Sequence, residues 1–261
     1  DALSKLPFAE AVFVEEGTDI VVEGTLSWET PDAVLEVETT KATWVFTPDN
    51  ANYSTVKGTV TIKINKAQQP EFSIVPVTDA SYGMEGSVWL ETTGGVEGAE
   101  ITFTVPKDNG VVTDVNKNGL GKFFIVPISS GKVIITAVAV DPEGNYEDAV
   151  ATYELTVAPA SIKADWISWL DGFTGVGTYN GNEITPGVKV YFIAEGNLTE
   201  GEDYTVSYVN NTYAYTLKEG DEGFDATKAP AVVVTGKGNY TGSAKVYFVI
   251  NKAEAAPNMP K

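Results

Sequence analysis

The dipeptide Asn-Tyr occurs at Asn52-Tyr53, Asn145-Tyr146 and Asn239-Tyr240, 93 and 94 residues apart, and each copy precedes an alternating apolar–polar run. In the first run Val60, Ile62 and Ile64 alternate with Thr59, Thr61 and Lys63; in the second Tyr153, Leu155 and Val157 alternate with Thr152, Glu154 and Thr156. Val246, Phe248 and Ile250 keep the same register in the third, and the runs end in Lys-Ala, Pro-Ala and Lys-Ala. Alternation with period two puts one set of side chains in a core and the other in water. A pattern that restarts at a fixed long interval is the mark of tandem units. Each run is therefore the closing strand of a domain. The expected domains are 1–67, 68–159 and 160–252, followed by a tail at 253–261; the first is a short or truncated copy.

Short runs rich in Val, Ile, Thr and aromatics (DIVVE, ATWVF, EITFTV, KFFIV, VIITAVAV, VKVYFIA, DYTVSYV, AVVVT) fill the remaining sequence, separated by Gly, Asn, Asp and Pro. Asn109-Gly110 and Asn180-Gly181 have the chemistry of tight turns. No three-turn amphipathic helix is evident. The predicted fold is all-β: three tandem immunoglobulin-like β-sandwiches in an elongated array. Tyr53, Tyr146 and Tyr240 each stand just before a closing strand. There a tyrosine can plug the end of a sandwich and bond backbone through its hydroxyl, the role favoured here over stacking on a ligand.

The chain has no His and no Cys, which removes the commonest general base, the thiol nucleophile, the disulfide and nitrogen–sulfur zinc sites. Two carboxylates suffice for a glycosidase, but a sandwich of this size offers little room for a sugar cleft, so no enzyme and no cofactor are expected. All 17 basic residues are lysines, against 36 acidic ones, for a net charge of −19. Polyanions are repelled, and the guanidinium fork for phosphate and guanine is missing, so no nucleic acid partner is expected. The longest nearly apolar run, residues 133–140, is far too short for a membrane helix, so no membrane insertion is expected. Asp1 follows no basic or apolar leader, as in a chain whose signal peptide was removed or not included.

WVFTPDNANYSTVKGTVTIKI resembles the end of the immunoglobulin-like, or MBG-type, repeats of Gram-positive secreted and cell-surface proteins. YNGNEITPGVKV, LTEGEDYTVSYVNN and VTGKGNYTGSAKVYFVI resemble a second widespread repeat of such proteins; GAEITFTV and GKVIITAVAV make the middle unit a weaker match. The resemblance implies an extracellular or cell-surface bacterial protein acting as a non-catalytic stalk or adhesion module. It carries over no catalytic residue. A glycan- or host-protein-binding module, or the accessory domains of a larger secreted enzyme, are the alternatives. The expected partner is a glycan or a host or cell-surface protein, and the expected state is a monomer.

Two features are candidates for binding. The segment TYAYTLKEGDEGFDATKAPAVV is roughly a dozen residues longer than the resemblance implies, and long loops in compact domains are often functional. Its Glu219, Asp221, Glu222 and Asp225 are the best calcium candidates, since calcium takes oxygen ligands, although no helix–loop–helix spacing is present. Acidic clusters at Asp141/Glu143/Glu147/Asp148 and Glu200/Glu202/Asp203 are weaker. Among the tryptophans, Trp44 and Trp89 lie inside alternating runs and are assigned to the core. Trp166 and Trp169, three apart, point to opposite faces of a regular strand. One is then exposed for a sugar or packed on the preceding domain, the arrangement favoured for Trp166.

The connections NKAQQPEF and APASIKADW are short and contain no Gly, leaving little slack for one domain to fold back on the next. Three such domains end to end give a radius of gyration of about 30 Å, against about 18 Å for one compact globule of this length. Small-angle X-ray scattering in moderate salt is expected to return the larger value; the smaller one removes the physical basis for a spacer.

Overall fold

The computed structural model describes residues 2–35 and 37–255; of the tail expected at 253–261, residues 256–261 lie outside the described residues. Among the described residues there is no α-helix, only the single 3-10 turns Leu3–Lys5 and Ala164–Trp166. The fold is all-β, as the alternating runs require. Internal contacts divide the chain into two compact units. One comprises the chain up to Ser73 with Thr93–Thr102 and Val138–Ala151; the other comprises Ile74–Thr92, Phe103–Ala137 and the chain from Thr152 onward.

In the second unit, the region of the last repeat is a β-sandwich. One sheet is ordered Ile167–Trp169, Val188–Phe192, Gly196–Asn197; the other is ordered Tyr204–Val209, Ala231–Gly236, Ser243–Tyr247. The sequence VKVYF buries Val188, Val190 and Phe192 and exposes Lys189 and Tyr191. Ile167, Val190 and Phe192 from the first sheet share one core with Tyr204, Val232 and Val234 from the second, joined by Phe248 and Ile250. Each such side chain contributes about 1.5–3 kcal/mol on burial. Earlier in this unit Val88–Leu90, Phe123–Ile125 and Asn116–Lys117 form a three-stranded sheet that buries Val88, Leu90 and Ile125.

The two ends of the last repeat are tied by parallel pairing. Ala160 and Ser161 lie beside Tyr240 and Thr241, and Val176–Thr178 lies beside Val249–Asn251. The backbone N–H groups of Ala160 and Ile162 donate to the carbonyls of Asn239 and Thr241, both at 2.9 Å. The middle repeat uses the same device: Ser81 pairs in parallel with Ala158, with Tyr82 N–H donating to Ala158 O at 2.8 Å and Ala158 N–H to Ala80 O at 2.9 Å.

Within the first unit, Ala67 N–H donates to Asn145 O and Glu147 N–H to Ala67 O, so Ala67 pairs in parallel with Tyr146. The principal sheet here is the antiparallel meander Gly24–Trp28, Glu38–Pro48, Val56–Ile64. Trp44 lies directly across from Gly58, and its ring occupies the space over that residue: a Cβ there would sit 2.2 Å from it. Aromatic side chains from the segment before the meander cover part of its face. Phe13 stacks on Phe46 at 3.8 Å and Phe8 on Trp28 at 4.2 Å. An apolar cleft of ≈ 480 Å³ remains, lined by Phe8, Phe13, Trp28, Trp44, Val60 and Ile62.

The sequences KINKA and VINKA place Ile64 and Ile250 at the same position of their repeats, yet Ile250 is wholly buried and Ile64 only half-buried. Ile250→Ala is therefore expected to cost about 3–4 kcal/mol and Ile64→Ala about 1 kcal/mol. Denaturant unfolding of the full chain, following each unit by hydrogen exchange, measures both; equal costs would show that the two sites are packed alike.

Candidate functional site: the junction and the insertion pocket

The middle closing strand, Ala149–Val157, is followed at once by the next opening segment, Ala160–Ser161. Ala158 is paired on one side of Pro159 and Ala160 on the other, so the connection has almost no free backbone. Side chains lock it further. Glu195, in the turn after Val188–Phe192, accepts hydrogen bonds on one carboxylate oxygen from Tyr82, at 2.6 Å, and from Tyr240. Bonds to an ionised acceptor are the strong kind. The Tyr240 ring is met edge-on by Tyr82 at 5.7 Å and by Phe192 at 5.8 Å, and Trp166 lies against Phe192 at 4.5 Å. Gly83 completes the contact: its φ is +68°, and a Cβ would fall 2.2 Å from the Phe192 ring.

Burial raises the Tyr240 phenol far above its ordinary range, and the hydrogen bond to Glu195 adds to the shift. Tyr82 is raised for the same two reasons. Asn239, the other half of the repeated pair, bonds outward. Its Oδ1 accepts from the Ser129 hydroxyl at 2.7 Å, the Ser130 backbone at 2.8 Å and the Ser130 hydroxyl at 3.1 Å. The other two copies differ. Tyr53 and Tyr146 are half-buried, and at the second copy the Asp141 carboxylate instead takes the backbone N–H groups of Glu143, Asn145 and Tyr146.

The tryptophans depart from the strand-based expectation. Trp166 closes the 3-10 turn Ala164–Trp166, and only Ile167–Trp169 is strand, so period-two geometry does not apply across the pair. Both rings are half-buried against the same core: Trp166 on Phe192, and Trp169 on Phe173 at 5.0 Å and Phe248 at 6.1 Å. Trp89, assigned to the core from sequence, is 47% exposed, because its neighbours Val88 and Leu90 take the inward positions. Its ring lies 5.4 Å from Phe124. Trp44 is half-buried.

The insertion is tightly stitched. Tyr215 pairs with Ile250, its hydroxyl accepts from Asp225 N–H at 2.7 Å, and Phe224 meets Tyr215 and Tyr247 edge-on. The Asp225 carboxylate accepts from the Thr227 hydroxyl and backbone and from Lys228. These bonds, the Thr227 hydroxyl foremost, lower its pKa to about 2. Asp221 accepts from Lys218 N–H at 2.7 Å, while Glu219 and Glu222 are exposed. The four calcium candidates are thus not gathered at one point. Among the described residues no three acidic side chains converge to hold a metal.

Two of the sequence candidates do meet. Trp169 and Glu219 line one pocket of ≈ 290 Å³ together with Thr174, Leu217, Lys218 and Tyr247. It lies between the insertion, the turn at Gly175 and the closing strand.

No protein-family model matches the chain, and no curated protein matches it. Solved structures similar to it include the protocadherin gammaB7 EC3-6 cis-dimer, at 12% identity and a TM-score of 0.32, covering 96% of this chain and 70% of that one. The N-terminal eight Ig domains of Down syndrome cell adhesion molecule match at 13% identity and a TM-score of 0.37 over 89% of this chain. This chain spans 33% of that structure's length. Mouse cadherin-23 EC22-24 matches at 12% identity and a TM-score of 0.29, covering 94% and 90% of the two chains. These are likenesses of fold alone.

Because folding raises the Tyr240 pKa, the folded protein favours the neutral phenol. That contribution is complete below about pH 10, the ordinary tyrosine value, and is lost as pH rises beyond it. Thermal unfolding is expected to show stability falling above about pH 10, with a shallower fall in Tyr240→Phe. Tyr240→Ala is expected to cost about 3 kcal/mol or more at neutral pH. An unchanged alkaline slope in Tyr240→Phe would remove Tyr240 from the cause.

Proposed function

We propose that the chain is a non-catalytic adhesion and spacer module of a secreted or surface-attached bacterial protein, made of three MBG-type immunoglobulin-like repeats divided near residues 67 and 159. The observation that carries this reading is the junction around Pro159. Backbone pairing on both sides of the proline, the shared Glu195 carboxylate and the Gly83–Phe192 contact leave the segments that meet there little freedom to hinge. A spacer needs that restriction; an isolated binding domain does not. The absence of His and Cys from the sequence supports a non-catalytic role. The high negative charge keeps a repeat array soluble and unattracted to polyanions. No helix among the described residues is long and apolar enough to cross a membrane.

Immunogold microscopy of the producing cells, with an antibody against the last repeat, tests the location. Label is expected outside the cell boundary, and cells lacking the gene are expected to be retained less on a coated flow-cell surface. Label confined to the cell interior would overturn the assignment.

A further inference from the structure

We propose that the pocket between the insertion and the Gly175 turn binds a sugar ring of a neutral oligosaccharide. This names a ligand class for the adhesion role above and rests on that role only for its biological meaning. At ≈ 290 Å³ the pocket is small, on the scale of a single pyranose rather than an extended ligand. The residues that line it include the aromatic Trp169 and Tyr247 and the apolar Leu217 and Val176. Such surfaces suit the C–H faces of a sugar.

Five polar groups stand around it. The Trp169 indole N–H, the Thr174 and Tyr247 hydroxyls, the Lys218 ammonium and the Glu219 carboxylate all belong to residues lining the pocket. None has a hydrogen-bond partner among the described residues. A few residues away in the same insertion, Tyr215, Asp221, Asp225 and Thr227 have their side-chain oxygens engaged.

The five supply donors and acceptors of both kinds, as a ring of vicinal hydroxyls requires. Their two charges are of opposite sign, so the site selects for no net charge, and the −19 of the whole chain disfavours sulfated or sialylated glycans. The insertion provides Leu217, Lys218 and Glu219. It therefore builds one wall of the pocket.

The test is calorimetry and saturation-transfer NMR on the intact chain with tri- to hexasaccharides of glucose, mannose, galactose and N-acetylglucosamine, and with sialylated and sulfated oligosaccharides for comparison. At least one neutral series is expected to bind, with the acidic probes weaker. Lys218→Ala, Glu219→Gln and Tyr247→Phe are each expected to weaken binding by about fivefold to tenfold, the loss of roughly one hydrogen bond, without changing the melting temperature. Trp169→Ala is a poor probe, because the ring packs on Phe173 and Phe248. Trp89→Ala, on the exposed face of another sheet, is expected to leave binding intact.

The proposal is overturned if no neutral oligosaccharide binds at millimolar concentration. It is also overturned if binding survives all three pocket substitutions, or if Trp89→Ala abolishes it. None of these outcomes touches the surface location, which immunogold labelling decides separately.

Discussion

Parallel pairing between the opening segment and the closing region of a repeat is the constraint on which the rest of the second unit depends. A parallel neighbour cannot be reached by a tight turn; the chain must cross from one sheet to the other before it returns. In the last repeat the Ala160 and Ile162 donors meet Asn239 and Thr241 only after the intervening strands have wrapped a core. Each backbone bond is worth about 1 kcal/mol net. Their larger effect is positional: they hold Tyr240 at 2% exposure, with its hydroxyl directed to Glu195.

The first unit shows what happens when the same closing register faces a different covering layer. Val60, Ile62 and Ile64 occupy the positions that Val246, Phe248 and Ile250 hold in the last repeat. Phe8 and Phe13, from irregular backbone, lie against Trp28, Trp44 and Phe46, and Val60 is left exposed. Isolated rings cover less of a sheet than interdigitating strands do, and the cleft beside Trp44 and Val60 is the result.

What could be read along the chain was whatever repeats locally. The alternation in VKVYF and YELTV, and the Asn-Tyr signature, follow from period two and were legible residue by residue. The phase of a three-residue strand was not: in Val-Trp-Leu either the tryptophan or its neighbours can face inward, and only the partner sheet decides. Nor could the 3-10 turn at Ala164–Trp166 be seen, so the face of Trp166 came out differently. Glu195 gave no signal, because its role depends on two tyrosines 113 and 45 residues away in sequence. The insertion's carboxylates suggested calcium by composition. Asp221 and Asp225 instead serve the loop's own backbone, and Glu219 stands in a pocket wall.

The direction of those parallel pairs also governs how the last repeat carries load. In a parallel pair the N-terminal end of one strand and the C-terminal end of the other lie at opposite extremities. Tension transmitted along the chain pulls Val176–Thr178 and Val249–Asn251 past each other lengthwise rather than peeling them apart. Peeling breaks hydrogen bonds one after another, whereas sliding strains the whole set at once. The same segments that close the sandwich therefore make it resist stretching along the chain.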